Sequence, residues 1–337
     1  MESLSNEQEL LSVVYVGDDA AALRELTRLA ELVGVSVHHV HEKQIERAVL
    51  RFSSIGMPEG QVRASFHHLF ASYFGPQRLS FNYREDSAEI LELMVAVGAT
   101  ERGKVVGVVG AQGGIGASAL SAWIARTFAK SHEHVALMDL DPASAGIELL
   151  LASVDQAGKR WADLHGVGSL LARRLTDALP EWHGVRFLSA DARGGVSTST
   201  DAGVTAISAL SQVNEWSVLD LPSVAMRRDS LARSWLEWCD HVLVLTRADS
   251  ISLAGAHTKL EWIAQSVPHT VAVVDVTSKN EAAHAAQMLG QDGVLTVRRD
   301  RGFVAGLDHG VWPGERSRAS SAKDVARVCA YLEEVVR

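Results

Sequence analysis

The stretch Lys104 to Ala129, KVVGVVGAQGGIGASALSAWIARTFA, runs from an apolar segment through clustered glycines into a helical pattern. Binding a phosphate requires several N–H donors to converge on one point. Gly113, Gly114 and Gly116 let a backbone turn tightly enough to supply them. The positive end of the helix that follows would add to the field at that point. The candidate cofactor-binding residues are therefore Gly110, Gln112, Gly113, Gly114, Ile115, Gly116, Ala117 and Ser118. Such a string also suits a strand-to-helix turn that binds nothing, so further residues must decide. Val135 to Asp141 (VALMDLD) and Trp216 to Pro222 (WSVLDLP) each end an apolar run in carboxylates. Carboxylates at the C-terminal ends of parallel strands beside a phosphate loop are placed to hold a metal or polarise a water. Ser118, Asp139 and Asp220 are the candidate Mg²⁺ ligands, and Asp141 is the catalytic candidate.

The elements that must position these residues are legible from residue 104 onward. Apolar strand-like runs at 104–110, 135–140, 184–189, 216–220, 241–246, 270–276 and 293–297 alternate with helical patterns at 117–130, 168–178, 201–213, 228–238, 251–266, 281–289 and 321–336. Short, almost wholly apolar strands alternating with helices predict a parallel sheet covered on both faces. Ahead of it, Leu11 to Val16 reads as a strand, Ala20 to Leu32 as a helix, Val33 to Val40 as a second strand and Ser87 to Val97 as a closing helix. Between 52 and 83 no period emerges. The fold class expected is α/β: a P-loop NTPase-like domain over 100–337 preceded by a smaller α/β domain over 1–99.

Composition narrows the function. The 337 residues are 47% hydrophobic and 22% charged, the balance of a soluble chain long enough for two domains. A net charge of −9 argues against strong nucleic-acid binding, which needs a basic surface. Cys239 and Cys329 are too few for a disulfide framework, which predicts a reducing, cytoplasmic setting. MESLSNEQEL has no basic region ahead of an apolar stretch, so no secretory leader is expected. Val105 to Ala125 is uncharged over 21 residues, but its five glycines read as a turn and not as a membrane span.

The loop, the carboxylates and their order resemble the ParA/MinD class of P-loop ATPases with the deviant Walker A motif, over about 103–337. That family's loop reads KGGxGK[ST], and the matching stretch is Gln112 to Ser118. Asp139 and Asp141 match its switch I carboxylates, Asp220 and Pro222 its Walker B segment, and His241 to Ser252 the strand and loop that follow. Leu295 to Gly310, with Asp300 and Gly310, resembles a late segment of the family without its proline. Both motif lysines are absent, with Gln at 112 and Ala at 117. By the resemblance, a lysine at 117 would contact the β- and γ-phosphates, and one at 112 would reach across a nucleotide-sandwiched dimer. A hydrogen bond to a charged group contributes about 1.5–3 kcal/mol, so binding of ATP or ADP with Mg²⁺ is expected to be weak.

A two-domain chain with a lysine-free loop is similar to the CpaE/TadZ-type branch, whose CpaE-like members are called septum-site-determining proteins. The resemblance implies a receiver-like N-terminal domain. It also implies protein partners in a secretion, pilus or division apparatus, a homodimer, and recruitment to the pole, septum or inner membrane by those partners. Two functional readings stay open: a positioning scaffold with a degenerate nucleotide site, and a slow ATP-dependent dimerisation switch of the MinD type.

The smaller domain lacks receiver chemistry. Asp18 and Asp19 follow the first strand, but no aspartate occurs between Asp19 and Asp86 to accept a phosphoryl group. A degenerate receiver is expected, with Asp18 and Asp19 in a solvated turn. The pairs His38-His39 and His67-His68 lack metal-ligand partners at suitable spacing. The clusters Arg227-Arg228 with Arg233, and Arg298-Arg299 with Arg301, are interrupted by acidic residues and read as solvated faces. The last helix should pack Val325, Val328, Leu332 and Val335 on the sheet.

Overall fold

The computed structural model describes residues 11–40, 48–66, 80–98, 102–164, 172–198, 202–227, 230, 232–264, 266–276, 278–300, 302, 306, 312 and 320–336. The chain divides into two compact units, Met1–Arg102 with Leu171–Arg174, and Gly103–Leu170 with Leu175–Arg337.

The smaller unit begins with β1 (Leu11–Val16) and α1 (Ala20–Val33), followed by β2 (Val37–His39). It continues through β3 (Ala48–Ser53), β4 (Gln61–Phe66) and β5 (Ser80–Asn82) to α2 (Ser87–Gly98). The sheet order is β2-β1-β3-β4-β5, which is the order of a doubly wound sheet. β1 runs parallel to β2 and β3, but β4 and β5 are antiparallel. Residues 54–60 are too few for the crossover a parallel β4 would need, so the chain reverses directly. β4 gave no sequence signal because its buried positions, Val62 and Ala64, are small and alternate with exposed Arg63 and Ser65. The second strand is shorter than expected, since Val33 still belongs to α1. That helix ends at Gly34, whose left-handed φ of 76° lets its N–H reach the Ala30 carbonyl. Val13, Tyr15, Leu26, Leu50, Phe52 and Met94 form the core.

The larger unit is built on an eight-stranded sheet of order β13-β12-β11-β6-β10-β7-β9-β8. Its central strands are β6 (Lys104–Gly110), β7 (Val135–Asp139), β10 (Trp216–Leu221) and β11 (His241–Arg247). The outer strands are β8 (Glu181–Trp182), β9 (Val185–Leu188), β12 (His269–Val274) and β13 (Leu295–Val297). Every pairing is parallel except that of β8 with β9. Near-continuous burial of β6, β7 and β10 accounts for their unbroken apolar runs.

The helices, in chain order, are α3 (Ala117–Phe128), α4 (Ile147–Leu150), α5 (Ala172–Ala178), α6 (Ala202–Ser211) and α7 (Arg233–Glu237). They are followed by α8 (Ser250–Ile263), α9 (Lys279–Leu289) and α10 (Ser320–Val335). α10 packs on α3 and β13, burying Val325, Val328, Cys329 and Leu332. Val335, expected on the same stripe, is instead 40% exposed at the helix end. Both cysteines are buried and neither forms a disulfide, and burial pushes the Cys329 thiol up to about 12. No helix among the described residues is long and apolar enough to cross a membrane.

Candidate phosphate-binding site

β6 ends at Gly110 between its neighbours β10 and β11, and the turn it enters leads straight into α3. A Cβ at Gly110 would lie 2.7 Å from Ile115 Cγ2 and 2.9 Å from the Gln112 carbonyl, so only glycine allows the loop to fold back here. Gly116, with φ 95°, is the N-cap of α3, and no side chain caps the helix. Its first N–H groups thus face outward without a side-chain acceptor. They open onto a cavity of about 390 Å³ lined by Gly110, Gln112, Gly113, Gly114, Ile115, Gly116, Ala117 and Ser118, together with Asp141 and Asp220. All eight loop residues singled out from the sequence therefore share one wall. Ala119, Leu150, Leu221, Pro222 and Ser223 complete the lining.

Asp220 is the last residue but one of β10, lines the same cavity as the loop and is 4% exposed. Burial raises its carboxyl to about 7, against the opposing hydrogen bonds of Ser118 and Ser121, and the charges of Asp139 and Asp141 push it up further. The Ser121 hydroxyl donates to its Oδ1 at 3.2 Å. Ser118 and Asp220, two of the expected Mg²⁺ ligands, both line the cavity and are hydrogen-bonded to each other.

Asp139, the third, is placed otherwise. It stands opposite Asp220 in the β7–β10 register, but Asp141 N–H donates to its Oδ1 at 3.2 Å and Ile147 N–H to its Oδ2 at 3.0 Å. It is 1% exposed and does not line the cavity. Burial raises its pKa despite these bonds. Asp139 therefore does not join Ser118 and Asp220 on the cavity wall, and each of its oxygens braces the loop after β7. Asp141 does line the cavity, and its Oδ1 accepts the Ala143 N–H at 2.9 Å.

Further residues shape the site without having been singled out in the sequence. The Gln112 amide donates to Ser252 Oγ at 2.9 Å, and Ser252 Oγ donates to Asp249 Oδ2 at 2.7 Å. Asp249 is the N-cap of α8, so Gln112 is folded back onto its own chain. The Lys259 ammonium donates to the Ala111 carbonyl. Around the segment after β7, buried Arg160 pairs with buried Glu148 at 2.5 Å, and the Trp161 indole donates to the Asp139 carbonyl at 2.6 Å. These contacts fix the segment that carries Leu150. Apart from the Asp249–Ser252 cap, no local motif marks them, because these partners stand twelve or more residues apart in sequence and leave no period.

Other candidates are absorbed by local contacts. Arg298 pairs with Asp324 at 2.7 Å and Arg299 with Asp275 at 3.5 Å, while Arg233 bonds the Trp262 carbonyl at 3.2 Å. His38 and His39 are exposed, and His39 bonds the Gly17 carbonyl at 3.0 Å. Asp300 accepts from the Gly302 N–H at 2.9 Å. His67, His68, Arg228, Arg301 and Gly310 lie outside the described residues.

No protein-family model matches the chain. An uncharacterized protein of Mycobacterium tuberculosis H37Rv is 30% identical over 213 residues, which are 62% of this chain and 58% of that protein. The chain thus matches little more than half of that relative's length. Among solved structures, the MinC:MinD cell division complex of Aquifex aeolicus aligns with a TM-score of 0.57 at 15% identity, covering 68% of this chain and 96% of that one. A ParA family ATPase of Chlorobium tepidum aligns at 0.55 and 15% identity, covering 68% and 99%. MinD with Mg-ADP from Pyrococcus horikoshii aligns at 0.53 and 15% identity, covering 69% and 96%. The eight-stranded unit has the ParA/MinD fold.

Within the ParA/MinD fold, the cavity lies where open α/β sheets bind ligands, beyond the carboxyl ends of neighbouring strands. Its backbone cradle is formed in this chain. Its cationic side chains are not: no lysine or arginine lines the cavity among the described residues.

Proposed function

We propose that this chain is a ParA/MinD-like positioning scaffold of the CpaE/TadZ type, which holds ADP or ATP with Mg²⁺ weakly and hydrolyses ATP at or near background. The observation that carries this reading is the cavity over the uncapped start of α3, lined by the whole glycine loop yet without a cationic side chain. Backbone N–H groups at Gly113 to Ser118 would hold the phosphates. Ser118 and Asp220 would hold Mg²⁺, whose charge would draw the proton from a carboxyl raised to about 7. Asp141 is placed to orient a water. What the chain lacks is positive charge where negative charge develops during phosphoryl transfer, and this term dominates such catalysis. The bound Mg-ADP of the Pyrococcus horikoshii MinD structure supports the choice of ligand.

The smaller unit acts as a degenerate receiver that binds protein, with Asp19 spent on capping α1. Partners are proteins of a secretion, pilus or division apparatus. The MinC:MinD complex is a precedent for a protein partner on this fold. A homodimer through the cavity face is supported by exposed apolar side chains flanking it. Leu149 is 57% exposed beside Leu150, Val224 43% beside Ser223, and Ile251 87% beside the Ser252 that holds Gln112. Because Gln112 is tied inward, that dimer would not depend on ATP, in contrast to the MinD-type switch.

Equilibrium dialysis with Mg-ADP beside a steady-state ATP assay tests the proposal. Saturable retention with turnover at background is expected. Robust Mg²⁺-dependent turnover that disappears in Asp141→Ala would overturn the scaffold reading, and absence of retention at millimolar Mg-ADP would remove the nucleotide.

A further inference from the structure

The charge missing from the loop has a source behind it. Ser252 and Lys259 are seven residues apart on α8, two helical turns, and so share a face. Both touch the loop: Ser252 bonds the Gln112 side chain and Lys259 the Ala111 carbonyl. Ala111 stands between Gly110 and Gln112, both of which wall the cavity, and its carbonyl seats the ammonium. A cradle that turns its N–H groups toward a phosphate turns carbonyls the other way. A cation seated on an outward carbonyl therefore adds to the field the inward donors create.

Among the described residues, Lys259 also has no charge partner. It is half-buried, and desolvation alone holds its ammonium below the usual lysine range, with no carboxylate acting on it. A partly dehydrated, unpaired cation is costly unless an anion approaches. The anion that fits is the polyphosphate of a nucleotide on the far side of the loop.

We infer that Lys259 is the electrostatic stand-in for the lysines absent at 112 and 117, raising the loop's affinity for a nucleoside di- or triphosphate without touching it. The inference rests on the nucleotide reading above. It makes Lys259 a positioning residue, with charge as its working property and the bond to Ala111 as its anchor.

The test is titration of the full chain with a fluorescent Mg-ADP analogue at low and high salt, with thermal unfolding as the check on folding. Lys259→Gln keeps a donor near the Ala111 carbonyl and removes the charge. It should weaken binding about tenfold, ~1.4 kcal/mol, and flatten the salt dependence. Lys259→Arg should stay within about threefold of the parent. Ala117→Lys added to Lys259→Gln should restore the lost affinity, which repair of loop geometry alone would not do. Lys259→Met replaces the glutamine variant if that one unfolds. Equal affinity in the parent and the neutral variants overturns the role of Lys259 and leaves the nucleotide reading standing. A parent that binds no Mg-ADP analogue overturns both.

Discussion

Two turns in this molecule start from the same local plan and end differently. β1 runs through Gly17, Asp18 and Asp19 into α1, and β6 runs through the glycine loop into α3. At the first turn the Asp19 carboxylate accepts the N–H groups of Ala21 and Ala22 at 2.8 and 3.1 Å, and the Tyr83 hydroxyl at 3.2 Å. The helix start is satisfied from within. At the second, a glycine with φ 95° stands at the cap and nothing from a side chain closes it. A strand-turn-helix becomes a site when its own sequence leaves the orphan donors open beneath a cavity, and a joint when it fills them.

Transplanting the first solution onto the second should have the largest effect. Gly116→Asp puts a carboxylate at the mouth of the cradle; a Cβ there meets nothing within 4 Å, but the φ of 95° strains any residue other than glycine, so the variant loads the loop with both charge and backbone strain. Mg-ADP affinity should fall by more than about a hundredfold, ~2.7 kcal/mol, while the circular dichroism spectrum is retained. An unchanged affinity would break the comparison.

The opposite change opens the site further. Ala117→Lys should tighten Mg-ADP by about ten- to a hundredfold through charge-assisted contacts worth roughly 1.5–3 kcal/mol. Calorimetry on the variant checks this, and a folded variant that binds no tighter would show that the cavity does not admit phosphate.

Asp220 sharpens the contrast through pH. Its folded pKa near 7 exceeds the usual carboxylate value, so its contribution to stability is fully present below about pH 4 and is lost as pH rises through 7. Asp220→Asn should therefore stabilise the protein at pH 8 without Mg²⁺, by on the order of 2 kcal/mol, with the gain fading toward pH 5. Denaturant titrations at the two pH values check the sign.

The smallest effect belongs to the closed turn. Asp19→Ala removes a cap and should cost about 1 kcal/mol of stability in the smaller unit, with Mg-ADP affinity unaltered. The Ala22 N–H holds the Asp19 carboxyl below its ordinary value. That stability is present above the unfolded pKa and is lost as pH falls through the folded one, so parent and variant should converge in strong acid.

These residues also show what could be read in the sequence. Gly110 to Ser118 were legible because a glycine loop needs its residues in one short stretch, and the parallel strands because buried runs are unbroken. Asp139 and Asp220 looked alike in VALMDLD and WSVLDLP. Only the path of the chain to Ile147, whose N–H takes the Asp139 carboxylate, tells them apart. Lys259 gave no signal, since a single lysine in a surface helix reads as solvated until the loop beside it is placed. β4 was illegible because small residues carry its buried face.

Amide hydrogen exchange resolved to single residues, with and without millimolar Mg-ADP, compares the two turns in one experiment. The account predicts that the N–H groups of Gly113 to Ser118 slow markedly when Mg-ADP is added, while Ala21 and Ala22, already held by Asp19, keep their rates. If the loop amides exchange as fast with Mg-ADP as without it, the cradle holds no phosphate and the central claim fails.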